Sequence, residues 1–125
     1  MGTVKITFIG HASFRFESDK GSVTYFDAWL DNNPTAKMKL SQVRKADIVI
    51  ASHGHSDHIG DSYEICKRTR AKFVGNYELC VVAEEVHGLK MGSRSLSMNP
   101  GGTVKVKDAA ITMVQGHHSQ SLSTH

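Results

Sequence analysis

The sequence predicts an α/β layered fold, and three observations carry that prediction. The first part of the chain holds short runs of β-branched and aromatic residues with alternating polarity, the pattern of strands with one buried face. Asp47 to Ala51 (DIVIA) is a nearly continuous apolar run, as in a strand covered on both faces. Two stretches of helical character then alternate with short strands, so helices and strands must share one layered core. With 125 residues the chain has the size of one ordinary domain. Residues 1–125 are read as a single domain without repeats, low-complexity tracts or internal linkers.

Val4 to Ile9 (VKITFI) reads as the first strand, broken by Gly10. Ala12 to Glu17 alternates as a second strand, and Asp19-Lys20-Gly21-Ser22 as the hairpin turn after it. Val23 to Phe26 is a third strand ending at Asp27. Asp31 to Thr35 (DNNPT) is a loop rich in turn formers, and Lys39 to Lys45 a short helical or irregular segment. After the DIVIA strand, Asp61 to Arg70 reads as a helix, Lys72 to Gly75 as a strand, and Glu78 to Val86 as a second helix with His87-Gly88 at its C-cap. Ser97 to Gly102 (SMNPGG) reads as a loop. Thr103 to Lys107 and Ala110 to Val114 form a hairpin pair whose final strand runs on towards His117-His118.

Bulk properties narrow the function classes. Apolar residues make up 39% and charged residues 22%, close to a globular average. No apolar run approaches the roughly 20 residues that cross a bilayer, and the start lacks the pattern of a signal peptide, so a cytoplasmic protein without a membrane partner is expected. The net charge of +3 is mild, and the single basic cluster, Lys67 to Lys72, fits a solvated helix end better than a nucleic-acid face. Cys66 and Cys80 match no metal or redox spacing and read as reduced thiols, with a lone disulfide as the alternative.

The chain has eight histidines, and their clustering is more informative than their number. His53-Gly54-His55-Ser56-Asp57-His58 follows the buried strand and precedes a helix, where α/β proteins place ligands. Gly54 is read as the residue that lets the backbone turn tightly enough for two imidazoles to face one point. Imidazoles and a carboxylate without cysteine suit an open, catalytic zinc site, and equally Mn, Fe or Ni. Ser52, Ser56 and Cys66 show no nucleophile-elbow context.

These residues resemble a known family. His53-x-His55-x-Asp57-His58 is similar to the H-x-H-x-D-H signature of the metallo-β-lactamase superfamily. Gly10-His11-Ala12-Ser13-Phe14, Phe26-Asp27-Ala28-Trp29-Leu30, Met98 to Thr103 and His118-Ser119 resemble its branch of metal-dependent hydrolases similar to ascorbate-6-phosphate lactonase, with Ala28 where that branch usually has proline. The resemblance implies the N-terminal half of an αβ/βα sandwich, a mixed sheet with helices on one face. It implies that His53, His55 and His118 bind a first metal, and Asp57 and His58 a second. Asp27 would orient a ligating imidazole, and His11 would sit at the site's edge as a contact to substrate or ligand. His117, next to His118, would face away. His87 reads as a cap or solvent contact and His125 as a frayed end.

The implied chemistry is metal-assisted hydrolysis of a small ester, lactone, amide or phosphoester substrate, with two divalent cations, zinc first, and Asp57 helping to orient the attacking water. Complete members of the family are about twice as long, and the bridging aspartate and late histidine of their pattern have no counterpart here. The chain is therefore expected to be a shortened piece, a half completed by a homo-oligomer or a complementary C-terminal half, or a natural half-domain that binds metal without turnover. A nuclease of the same superfamily is a further alternative.

Overall fold

The computed structural model describes residues 2–122; His125, read above as a frayed end, lies outside the described residues. The chain forms strands β1 (Val4–Gly10), β2 (Ser13–Ser18) and β3 (Val23–Phe26), then a 3-10 turn at Leu40–Gln42 and strand β4 (Ile48–Ile50). The one-turn helix α1 (Ser56–Ile59), helix α2 (Ser62–Thr69), strand β5 (Lys72–Gly75), helix α3 (Tyr77–His87), strand β6 (Ser95–Ser97) and strands β7 (Thr103–Val106) and β8 (Ala109–Thr112) follow.

β1 to β6 pair in sequence order into one mixed sheet, and β7 and β8 form a separate hairpin. The first three strands are antiparallel because tight turns connect them, whereas β3 to β6 run parallel. Parallel neighbours need crossovers: the segment 27–47 with its 3-10 turn joins β3 to β4, and α2 and α3 lie in the two that follow. α3 is capped as its sequence directs: Asn76 Oδ1 accepts from Leu79 N–H, and Gly88 ends the helix at φ 70°.

Helices cover one face of the sheet. Tyr25, Val49 and Phe73 point to that side and pack with Ile65, Cys66, Leu79, Cys80 and Ala83. On the other face the register aligns Phe8, Phe14, Phe26, Ile50, Val74 and Leu96 in one row across all six strands. The β7–β8 hairpin covers the β4–β6 end of this face, where Val106 packs on Ile48 and Val74. The β1 end is open, with Val4, Ile6 and Phe8 between 48% and 61% exposed.

Three local expectations are corrected. Ser97 belongs to β6 rather than to a loop, because the Ser95–Ser97 backbone pairs with Phe73 to Gly75. The histidine motif contains a helical turn, α1. β8 stops at Thr112, so the second histidine pair is carried by an irregular arm that begins at Met113. No helix is long and apolar enough to cross a membrane.

Candidate metal centre

The motif lies where the parallel strands end. β4 delivers Ser52 and His53, and α1 starts at Ser56 with Asp57 and His58 in its single turn. The strand-end segment after β3 brings Asp27 alongside: its N–H bonds to Ile50 O at 2.9 Å, so the third and fourth strands fix it from both sides.

Among the described residues three groups of candidate ligands face this loop, each with donor atoms within 4.8 Å of one another, and one of them, Asp27, His53 and His58, bridges the other two. Of those two, one is His53, His55 and His118; the other is His11, Asp57 and His58. In the first, His55 Nδ1 lies 3.1 Å from His53 Nε2 and 3.2 Å from His118 Nε2. Nitrogens held at about 2.0–2.1 Å from a tetrahedral zinc ion would stand at nearly this spacing from one another. The donor chemistry agrees. His53 Nδ1 is engaged by Ser52 Oγ at 2.8 Å, which leaves its Nε2 lone pair turned to the group. Burial, then the neighbouring imidazoles of His58 and His55, hold His53 below the ordinary histidine pKa and so keep that lone pair free. The residues present fit a divalent cation.

Asp27 ties the two groups together. It is buried, and its Oδ2 lies 2.8 Å from His58 Nδ1 and accepts from Ser52 Oγ–H at 2.7 Å, while its Oδ1 accepts from Ser52 N–H at 2.7 Å. With its proton given to Asp27, Ser52 Oγ is left to accept from His53 Nδ1–H. One carboxylate thereby sets the tautomer of His58 directly and of His53 through a serine. Asp27 is itself held by Ser13, whose Oγ donates to the Asp27 carbonyl at 2.6 Å and accepts from Trp29 N–H at 3.0 Å.

His11 lies beside Asp57 and His58. Its Nε2 is 3.4 Å from Asp57 Oδ2, and its ring packs edge-on against His58 and Trp29 at 5.2 Å each. His11 and Asp27 are both non-glycine residues with left-handed backbone, φ 60° and 47°. Such conformations cost roughly 1–3 kcal/mol each and persist where surrounding structure over-determines them. Here both strained residues converge on the same loop.

His118 reaches His55 from 63 residues away, on the arm that follows β8. His117 is exposed, joins no ligand group among the described residues, and lines a cleft of about 460 Å³ with Ser52, His53, Asn76, Asn99 and His118. His87 is the last residue of α3, ahead of the capping Gly88, and its ring stacks on Tyr63 at 4.4 Å beside Lys67. The reading of the sequence missed Ser13, Ser52 and Gln120. The sequence reads Ser52 only as a serine without nucleophile-elbow context, and its position beside the motif is the one signal that marks it.

The family described as Beta-lactamase superfamily domain matches residues 5–124. The chain is 40% identical over 117 residues to a UPF0173 metal-dependent hydrolase of Koribacter versatilis, covering 93% of this chain and 48% of that protein. It is 41% identical over 120 residues to a UPF0173 metal-dependent hydrolase of Methanopyrus kandleri, covering 95% and 49%. The solved structure of Igni18, a metallo hydrolase from the hyperthermophilic archaeon Ignicoccus hospitalis, superposes with a TM-score of 0.80 at 34% identity, over 96% of this chain and 51% of that one. The chain spans about half the length of the curated relatives it matches.

Proposed function

The chain belongs to the Beta-lactamase superfamily domain family, and from that premise we propose that it carries the metal-holding half-site of a metal-dependent hydrolase acting on a small ester, lactone or phosphoester. The observation that supports this most directly is the pair of ligand groups sharing Asp27 as their common orienting carboxylate. His53, His55 and His118 would hold one cation, and Asp57 and His58 the other, with His11 beside Asp57. When bound, such cations supply Lewis acidity and bring the pKa of water towards neutrality.

The chain's own residues do the rest. Asp27 and Ser52 hold the imidazoles of His58 and His53 with their free nitrogens inward. Asp57, whose Oδ2 lies 3.4 Å from His11 Nε2, would accept a hydrogen bond from the attacking water and so orient it. The cleft beside His53 and His118, lined also by Asn76 and Asn99, is where a polar substrate would lie. The donor set favours zinc, with manganese, iron or nickel as substitutes that such ligands accept. Two free, buried thiols support a reducing, cytoplasmic setting.

The test is hydrolysis of generic aryl esters and phosphoesters by the metal-stripped chain after addition of Zn²⁺ or Mn²⁺, beside His55→Ala. Turnover that requires metal and is lost in the variant supports the reading; metal bound without turnover overturns the activity of this chain. The second outcome would favour another reading, a metal-binding half that works only with a complementary chain or a second copy. The exposed Val4, Ile6 and Phe8 on the open end of the sheet support that alternative.

A further inference from the structure

Gly54 was expected to serve the turn between two histidines, yet it is not among the residues with positive φ. Its backbone is one that alanine can adopt. What excludes a side chain there is the arm: a Cβ at Gly54 would collide with the Ser121 carbonyl oxygen and sit 3.1 Å from Leu122 Cβ. Glycine is required because the arm that carries His118 lies directly on the metal loop.

A single side chain fastens it. Gln120 Oε1 accepts from the buried Gly54 N–H at 3.2 Å and from Asn76 Nδ2 at 3.1 Å. These partners are 66 and 44 residues away in sequence. Asn76 is also the N-cap of α3, its Oδ1 engaged by Leu79 N–H. One carbonyl oxygen therefore joins the arm to the loop bearing His53 and His55 and to the start of α3. Beyond it, Leu122 packs against the main core. His118 has no regular structure around it, and it lies two residues before this fastening point, so its position depends on the fastening rather than on a strand or helix.

We propose that Gln120 is a positioning residue that clamps the His118 arm onto the metal loop, so that the third imidazole is in place before any cation arrives. The proposal rests on the reading of His118 as a metal ligand. In its absence the arm loses its hydrogen bonds to Gly54 and Asn76, His118 is released, and the first ligand group falls from three imidazoles to two. Residues that orient ligands in this way typically change metal affinity by about 10- to 100-fold.

The experiment is titration of the metal-stripped full chain with Zn²⁺ against a chromophoric chelator, for wild type, His118→Ala, Gln120→Ala and the double variant. Both single variants should weaken Zn²⁺ binding by about tenfold or more, and the double should be no weaker than His118→Ala, since both remove the same imidazole from the site. Gln120→Glu keeps an acceptor oxygen and should recover most of the loss. In the metal-free protein, hydrogen exchange of the Gly54 amide should quicken in Gln120→Ala and stay unchanged in His118→Ala. Gly54→Ala, which displaces the arm from the other side, should reproduce the Gln120→Ala affinity and carries the test if Gln120→Ala loses its helical circular dichroism. Wild-type affinity in Gln120→Ala or in Gly54→Ala, or losses that add in the double variant, would overturn the clamp. Wild-type affinity in His118→Ala would instead overturn the ligand assignment beneath it.

Discussion

His58 Nδ1 lies 2.8 Å from Oδ2 of Asp27, and the same oxygen accepts from Ser52 Oγ–H at 2.7 Å. Asp27 thus meets His58 directly and His53 through Ser52. Asp27 follows β3 in a left-handed conformation, φ 47°, that only its surroundings make tolerable.

Asp27→Asn should lower metal affinity with little change in fold. Three donors meet this carboxylate: His58 Nδ1–H and Ser52 Oγ–H at one oxygen, Ser52 N–H at the other. An amide turns one of those acceptors into a donor, so either the Ser52 N–H or both groups that orient the imidazoles lose their partner, and the acceptor that remains carries no charge. A rise of about 10- to 100-fold in the Kd for Zn²⁺ is expected. Unchanged affinity with an unchanged melting temperature would show that the carboxylate orients nothing.

Acid should weaken the metal-free protein. Burial above all, then neighbouring cationic imidazoles, depress the pKa of His53, and burial with Lys67 depresses that of His87. In the unfolded chain both revert to the ordinary value near 6.5. The unfolded state therefore binds more protons as pH falls through that value, and stability drops until the lower folded pKa is passed. The urea midpoint of the metal-free chain should be lower at pH 5.5 than at pH 7.5; a higher midpoint in acid would contradict the assignment. Metal retention should fall in the same direction, because imidazole ligands must be neutral.

Neither cysteine should react in the native state. Burial pushes the Cys66 thiol up to about 12 and the Cys80 thiol up to about 11. At pH 8 almost no thiolate is present, and access is closed as well. Alkylation followed by mass measurement should show no adduct under native conditions and two in denaturant. A native adduct would place a thiol at the surface.

The open end of the sheet should govern association. Ile6 and Phe8 are 61% and 48% exposed on the face where the register builds a continuous apolar row. Sedimentation of the isolated chain should show species heavier than a monomer, shifting towards monomer in Ile6→Lys/Phe8→Lys. A monodisperse wild-type monomer would remove the need for a covering partner.

The sequence by itself determined the layered α/β fold and the motif loop, because both are written in local pattern. The strands from Val4 to Phe26 announce themselves by β-branched and aromatic residues, and DIVIA by its unbroken apolar run. His53, His55, Asp57 and His58 lie within six residues, so a single turn of chain suffices to gather them. Tertiary structure decided the rest, since contacts between distant residues leave no periodic trace. Ser95–Ser97 is a strand only because the Phe73–Gly75 edge supplies its hydrogen bonds. Ser52 became an orienting group because Asp27, 25 residues earlier, accepts its proton. Gly54 is glycine for the sake of Ser121 and Leu122. His118, 63 residues from His55, joins the first group of candidate ligands on an arm that Gln120 bonds to Gly54 and Asn76.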